Sequence, residues 1–241
     1  MFSFAEFERE LISVRKLVTQ FLVPTAPKVL EEFQAKLSRI RERPGAQHAW
    51  AIEPDRAVVT KTTDGLHEPG GGGVADLFAE ISCIWEITPV VVAGKKGRQV
   101  KKDIPADHFL TSGLASTLIM LRRASEAEPV AMWRMEIGDR ASPGAWLHTQ
   151  LGVHWRDELP FPGSMPVPRL PCYMMTPLAV IEYVLGELFQ DDWPRSLAAN
   201  PAGLTEWSGI QTRRMMQTLA WQLKAVERPA QGTPLATLKA L

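Results

Sequence analysis

The spacing of hydrophobic residues changes twice along the chain, and this constrains the fold more than any other sequence feature. In the first 45 residues and again after residue 176, apolar side chains recur every three or four positions, as in amphipathic helices. Between these regions, Ile81, Cys83, Trp85 and Ile87 alternate with other residues, which indicates a half-buried strand. We therefore predict an α+β fold, in which an N-terminal helical hairpin and C-terminal helices cover a mostly antiparallel sheet.

Turns and prolines divide this predicted single domain, residues 1–241, into four parts. The parts are a helical hairpin (1–45), a sheet with one inserted helix (46–158), a proline-rich crossing with two helices (159–228) and a loose tail (229–241). The crossing carries five prolines between Leu159 and Pro171, so it cannot be a helix or a central strand.

Four details of this scheme depend on local signals. Ser3, Thr25 and Thr176 are predicted helix caps, since a side-chain oxygen there can accept from the first turn. The inserted helix, 107–123, is predicted from leucines at 110, 114, 118 and 121, with Asp107 as its cap. Residues 192–203 are predicted to form a loop. The last helix, 205–227, is predicted to bury Ile210, Met215, Leu219, Leu223 and Val226.

A polar group on one predicted hairpin is the first candidate site. The group comprises Arg134 and Glu136 on one strand and His148 and Gln150 on the next. If the strands pair through the turn at 138–144, residues whose numbers sum to about 282 to 284 lie opposite one another. A carboxylate, an imidazole, a guanidinium and an amide on one face would suit acid–base catalysis or anion binding. The alternative is the solvated polar face of an antiparallel sheet.

Cys172 is the second candidate for catalysis. It lies four residues before the predicted helix cap Thr176, with Arg169 nearby, and a helix N-terminus and a cation both lower the pKa of a thiol. The order of meander, proline-containing crossing, cysteine and two C-terminal helices resembles that of ubiquitin-conjugating (E2) folds. This resemblance implies a transferase that depends on Cys172. The alternative is a buried structural cysteine.

Two further groups are candidates for binding. The first, which we call the basic hairpin, is a cluster of positive charges at Lys95, Lys96, Arg98, Lys101 and Lys102. It would bind an acidic protein surface or, as the one route to nucleic acid, phosphate groups; alternatively it is a solvated turn. The second comprises tryptophans without an obvious internal partner: Trp146, Trp193 and Trp207. Exposed tryptophan is enriched at interfaces.

Composition narrows the possible functions. The 27 Lys+Arg and 27 Asp+Glu residues balance, which argues against sequence-independent nucleic-acid binding as the main role. Two cysteines cannot form a disulfide scaffold, and no uncharged apolar run approaches the ~20 residues of a membrane span. The histidines and cysteines lack metal-ligand spacing, so we expect neither a metal nor a cofactor. The first residues do not resemble a secretory signal, which predicts a cytoplasmic location.

The sequence therefore favours a protein-interaction function without catalysis. We expect a cytoplasmic, prokaryotic accessory subunit of a multi-component system, whose partner is another protein. Its oligomeric state is left open. The alternatives are an enzyme that uses the face formed by Arg134, Glu136, His148 and Gln150, and an E2-like transferase that uses Cys172.

Overall fold

The structure, a computed structural model, describes residues 2–63, 76–91, 107–125, 129–138, 147–151, 169–173 and 176–227. Within these ranges it has five α-helices and eight strands. The helices are α1 (Phe4–Val18), α2 (Ala26–Arg41), α3 (Pro177–Leu188), α4 (Asp192–Ala199) and α5 (Pro201–Val226). The strands are β1 (Phe2–Ser3), β2 (His48–Ile52), β3 (Val58–Val59), β4 (Leu77–Pro89), β5 (His108–Arg123), β6 (Pro129–Ile137), β7 (Leu147–Leu151) and β8 (Arg169–Pro171). No helix in the described ranges is long and apolar enough to cross a membrane.

The strands form one antiparallel sheet in the order β2-β4-β5-β6-β7-β8. The short strands β1 and β3 pair with β5 and β4. Helix α2 packs on β2, α3 packs on β4, and both contact α1. The α+β prediction, with helices from both ends of the chain on an antiparallel sheet, is therefore confirmed.

Aromatic side chains fill the centre of the core between the helices and the sheet. Phe7 of α1 lies edge-on to Trp50 and Trp85, at centroid distances of 5.3 and 6.1 Å. The Trp50 ring stacks on Phe33 of α2, and its indole N–H donates to the Phe33 carbonyl over 2.9 Å. Such pairs combine large apolar burial with a specific ring geometry. The alternation predicted for β4 is correct, because Ile81, Cys83, Trp85 and Ile87 are all buried.

The predicted helix over 107–123 is wrong, because this segment is strand β5. Leu110, Leu114 and Leu118 are four residues apart, and four residues are two pleats of a strand as well as about one helical turn. In the strand they share the outer face, where Leu110 and Leu114 are 47% and 46% exposed. Hydrogen bonding along both edges, with β4 and β6, decides the conformation.

Asp107 caps a helix, but not the one expected. Its carbonyl accepts from the backbone N–H of Phe4 over 3.0 Å, and its Oδ2 accepts from the N–H of Ala5 over 3.2 Å. The residue directly before β5 therefore caps α1, together with the predicted cap Ser3, whose hydroxyl accepts from the Glu6 N–H. Two elements distant in sequence are joined by this one aspartate.

Of the other two predicted helix caps, one is confirmed and one is wrong. Thr176 accepts from the Ala179 N–H over 3.2 Å, as expected for a helix cap. Thr25 makes no capping hydrogen bond with its side chain, because it has helical dihedral angles rather than the extended ones of a capping residue.

The predicted loop 192–203 is also wrong, since it contains α4 and the start of α5. Pro194 lies in the first turn of α4 and Pro201 is the first residue of α5. In a first turn the missing N–H of proline leaves no hydrogen bond unmade. These prolines therefore begin helices rather than interrupt them.

Helix α5 buries a different face from the predicted one. Its buried residues include Trp207, Ile210, Arg214 and Thr218. Three of the residues that were predicted to be buried are instead 41% to 59% exposed: Met215, Leu219 and Leu223. The side chain of Val226 lies outside the described part. The helix docks on α1 through polar contacts, which hydrophobic periodicity cannot detect.

Candidate functional site

The hairpin of β6 and β7 has the predicted register. Arg134 pairs with Gln150 and Glu136 pairs with His148, so the residue numbers sum to 284, within the expected range. All four candidate residues therefore lie on one face of the sheet. This is the outer face, opposite Met135 and Ile137, which are buried in the core.

Glu136 is the centre of a small polar cluster on this face. The Ser116 hydroxyl on β5 donates to Glu136 Oε1 over 2.9 Å, and His148 Nε2 lies 3.3 Å from Glu136 Oε2. The contact with His148 is the largest cause of a lowered pKa of Glu136; the Ser116 hydrogen bond also lowers it, against the opposing effect of burial. Glu136 is therefore a carboxylate at neutral pH.

The four candidate residues differ in how far they are exposed to solvent. His148 is only 1% exposed, whereas Arg134 is exposed. Ser82 and Ser116, on the same face, are also buried. The alternative of a uniformly solvated face is therefore wrong at these positions. An acid–base pair is present, but its imidazole is shielded from solvent, which favours a stabilising role. Catalysis by this face stays a prediction.

The environment of Cys172 differs from that of an activated thiol. The residue is partly buried and packs against the core, and its backbone N–H donates to the Leu147 carbonyl over 3.1 Å. Burial raises the pKa of the Cys172 thiol more than its hydrogen bond with Thr149 lowers it. The expected lowering of the pKa is therefore wrong, because burial penalises the thiolate.

Two of the three candidate tryptophans are in the interior. Trp193 is 5% exposed and lies edge-on to Phe21, with ring centroids 5.5 Å apart. Trp207 is 1% exposed, and its indole N–H donates to Glu182 Oε2 over 2.6 Å. The expectation that they lack internal partners is wrong, since α4 and α5 carry them into the core. Trp146 and the basic hairpin (Lys95, Lys96, Arg98, Lys101 and Lys102) lie outside the described residues.

A cavity of about 400 Å³ lies where α3, α4 and α5 meet. Sequence reasoning missed it, although one signal was available: the otherwise apolar α3 carries Glu182, Tyr183, Gly186 and Glu187 at the spacing of one helical face. The aromatic and charged residues that line the cavity are Tyr173, Glu182, Tyr183, Glu187, Trp193 and Arg214.

The lining residue Arg214 belongs to a buried ion pair. Glu10 of α1 is fully buried and contacts Nη1 of Arg214, which is 6% exposed. Glu10 Oε1 also accepts from the Thr176 hydroxyl and from the Gln211 amide, both over 2.7 Å. These bonds join α1, the start of α3 and α5 at a single carboxylate.

The outer side of α5 carries a line of three exposed apolar residues and one threonine, which we call the α5 stripe. It consists of Thr212, Met216, Leu219 and Leu223. The three large side chains of the stripe are 62%, 46% and 59% exposed. No described residue covers them.

No family model, no curated protein and no solved structure matches this chain. Among the residues that the structure describes, no group of three or more His, Cys, Asp or Glu side chains could hold a metal ion. The function of this protein is therefore inferred from the contacts, burial and charges of its own residues.

Proposed function

We propose that this protein binds another protein through the α5 stripe, as a non-catalytic accessory subunit of a cytoplasmic, multi-component system. The observation that carries this proposal is the exposure of Met216, Leu219 and Leu223 on one side of a helix whose other side is buried. Contiguous apolar surface of this kind marks interaction sites in folded proteins.

The spacing of the stripe favours a helix as the partner element. Its residues follow one another at intervals of four, three and four, which is the a/d spacing of a coiled-coil seam. A partner helix with the same apolar spacing would pack its side chains between those of α5. Met216 suits such a contact, because its flexible thioether adapts to the shape of the opposing side chain.

Charge next to the stripe constrains the partner further. Between Thr212 and Lys224 the charged residues are Arg213, Arg214 and Lys224, all of them basic. Arg213 and Lys224 are exposed. Arg213 pairs with Glu6 and Arg214 is buried against Glu10, so among the described contacts Lys224 alone of the three forms no ion pair. An acidic residue beside the apolar seam of the partner would complement Lys224 and disfavour partners with a basic residue there. We therefore expect an amphipathic helix with an acidic residue beside its apolar face.

Apolar burial indicates how tight such a contact can be. Full burial of a large apolar side chain contributes about 1.5–3 kcal/mol, and these three side chains are only 46% to 62% exposed before binding. The gain is therefore smaller than that figure, while association costs about 4–15 kcal/mol. The stripe alone therefore supports weak binding, and a stable complex needs further contacts. This expectation fits a subunit of an assembly better than a stand-alone receptor.

The candidates for catalysis also fit a non-catalytic role. The imidazole of His148 is buried, and burial raises rather than lowers the pKa of the Cys172 thiol. Neither group has the accessible, activated form that nucleophilic or acid–base catalysis needs.

Charge substitution on the stripe tests the proposal. The reference measurement is direct binding between the purified wild-type protein and a purified partner protein. We expect a variant carrying Leu219→Glu and Leu223→Glu to lose this binding. The matched control carries Ala202→Glu and Gln217→Glu, which changes the net charge by the same −2 at exposed positions of α5 outside the stripe and leaves Lys224 in place. A photo-crosslinking residue at 219 should attach to a helix of that partner.

The outcomes separate the possible occupants. Equal binding by both double variants would contradict the proposal. A wild-type dimer in sedimentation equilibrium that the stripe variant abolishes would assign the stripe to a second copy of this chain and overturn the proposed partner.

A further inference from the structure

The cavity between α3, α4 and α5 has two carboxylates without a cationic partner. Glu182 and Glu187 line it, and within the described part of the chain neither forms an ion pair. Glu182 is partly buried, with one oxygen accepting from the Trp207 indole, whereas Glu187 is exposed at the rim. The lining therefore presents negative charge to the interior and the mouth of the cavity.

The one arginine of the lining is already neutralised. Arg214 contacts Glu10 through Nη1, and its Nε lies 3.8 Å from Glu6 Oε2. Arg213 pairs with the same Glu6 over 3.3 Å. Two arginines thus balance Glu6 and Glu10, which leaves the charges of Glu182 and Glu187 in excess. This excess of negative charge favours a cation over an anion, although Arg214 Nη2 is a buried donor without a hydrogen-bond partner in the described part of the chain.

The pKa values of two lining residues are consistent with this excess of negative charge. Burial is the largest cause of a raised pKa of Glu182; the hydrogen bond from the Trp207 indole lowers the pKa, and the nearby charge of Glu10 raises it. Burial also raises the pKa of Tyr183, with an additional contribution from Glu187. Tyr183 therefore stays an uncharged phenol, whereas the ionised Glu182 carboxylate carries a desolvation cost. A bound cation would relieve this cost.

Aromatic rings form much of the remaining wall. Tyr173, Tyr183 and Trp193 line the cavity, and Tyr173 and Tyr183 are the only tyrosines of the chain. The face of an aromatic ring attracts ammonium groups through its quadrupole, more strongly where water is excluded. The volume of about 400 Å³ falls within the range of small-molecule sites, so the cavity can accept an alkylammonium group with its substituents.

We propose that this cavity binds an alkylammonium group, with Glu182 as its counter-ion and the rings of Tyr173, Tyr183 and Trp193 around it. The group belongs either to a free amine or quaternary ammonium compound or to a lysine side chain of a partner protein. The chemistry of recognition is the same in both cases. The proposal does not depend on the α5 stripe.

Titration of the isolated full-length protein tests the site directly. The probes are choline and n-butylammonium, and 3,3-dimethyl-1-butanol is the uncharged shape control for choline. Trp193, which lines the cavity, and Trp207, which contacts Glu182, provide a fluorescence readout, and calorimetry provides an independent one. We expect wild type to bind the cations at least about tenfold more tightly than the alcohol, a ratio that a desolvated cation–aromatic contact supports.

Substitutions identify the binding residues. Glu182→Gln keeps a carbonyl oxygen for the Trp207 indole but removes the charge, and we expect it to weaken cation binding about tenfold. Glu187→Gln, at the exposed rim, should weaken binding less and serves as a second variant if the first fails to fold. Glu206→Gln is the matched control, because Glu206 is an exposed carboxylate on α5 that does not line the cavity.

Titration with two peptides distinguishes the two sources of the ammonium group. An acetylated, amidated peptide with one central lysine is compared with the same peptide carrying norleucine. Tighter binding of the lysine peptide than of n-butylammonium indicates a partner side chain, whereas binding of the free amines alone indicates a small molecule. Equal binding of choline and its alcohol analogue, or an unchanged affinity in both Glu182→Gln and Glu187→Gln, would overturn the proposal.

Discussion

In the described part of the chain, Glu10 among the helices and Glu136 on the sheet each accept hydrogen bonds from neighbouring side chains, but the nitrogen-containing groups beside them differ. Glu10 of α1 contacts the guanidinium of Arg214 and accepts from Thr176 and Gln211. Glu136 of β6 lies beside the imidazole of His148 and accepts from Ser116. A guanidinium keeps its charge at all accessible pH values, whereas an imidazole is titratable.

This difference indicates how each region is stabilised. The contacts of Glu10 join three segments that are far apart in the sequence, with separations of 166 to 204 residues. The contacts of Glu136 join neighbouring strands that backbone hydrogen bonds already connect. We therefore expect the helical docking to depend strongly on one ion pair, and the sheet to depend on its polar cluster only modestly.

We expect the largest loss of folding stability when the side chain of Arg214 is replaced. Arg214→Met leaves the charge of Glu10 buried and unpaired, which should lower the free energy of unfolding by about 3–5 kcal/mol. The matched control is Arg213→Met, because Arg213 pairs with Glu6 at the surface and should contribute at most about 1 kcal/mol. Denaturant titration measures both variants. Equal losses would show that the helices do not depend on the buried pair.

A smaller effect is expected on the sheet. Glu136→Gln weakens hydrogen bonds to a charged group and should cost about 1–3 kcal/mol at neutral pH. The pKa of Glu136 is lowered in the folded state, so its stabilisation is present above the unfolded pKa of about 4.3 and is lost as pH falls through the lower folded pKa. The gap between wild type and variant should therefore close below about pH 4. A gap independent of pH would contradict a role of the ionised carboxylate.

The success of sequence reasoning differs between the same two regions. On the sheet, local alternation and a hairpin turn were enough to place Glu136 opposite His148. Among the helices, the docking face of α5 contains Arg214 and Thr218, which no hydrophobic pattern selects. Periodicity identified an amphipathic helix correctly but assigned its exposed side to the core. The cavity required the spatial meeting of three helices, which local spacing does not reveal.

The failure at β5 has a related cause. Leucines four residues apart fit both a helix and the outer face of a strand, so the pattern alone did not distinguish them. Pairing with β4 and β6 depends on residues far from this segment in the sequence. Backbone hydrogen bonds along both edges outweigh a local preference of a few tenths of a kcal/mol per residue.

A third carboxylate, Glu182, extends the comparison because it lacks a counter-ion. Burial raises its pKa, so the folded state binds a proton more tightly than the unfolded state, and stability falls as pH rises above about 4.3. Glu182→Gln should therefore raise the melting temperature at pH 7 and change it little at pH 4. The expected gain is smaller than the loss in Glu136→Gln, because the hydrogen bond from the Trp207 indole offsets part of the burial cost of the Glu182 carboxylate. An unchanged or lower melting temperature at pH 7 would show that the charge of Glu182 is compensated.

The smallest expected effect is at Cys172, which connects the two regions through its backbone. Its N–H donates to Leu147 on the sheet, and its carbonyl accepts from the Gln222 amide of α5 over 3.3 Å. Cys172→Ser leaves both hydrogen bonds in place and changes only a partly buried thiol, so stability should change by no more than about 1 kcal/mol. Partner binding should be unaffected.

The reactivity of Cys172 provides the independent measurement. Because burial raises its pKa, alkylation by iodoacetamide at neutral pH should be slower than that of a free cysteine in a peptide. Cys83, whose pKa burial raises to about 12, should react more slowly still. Rapid alkylation of Cys172, or a thioester trapped in wild type and absent from a folded Cys172→Ser variant, would contradict the packing role. The E2-like transferase hypothesis would then replace the non-catalytic one, because an activated thiol cannot be reconciled with a thiol that only fills space.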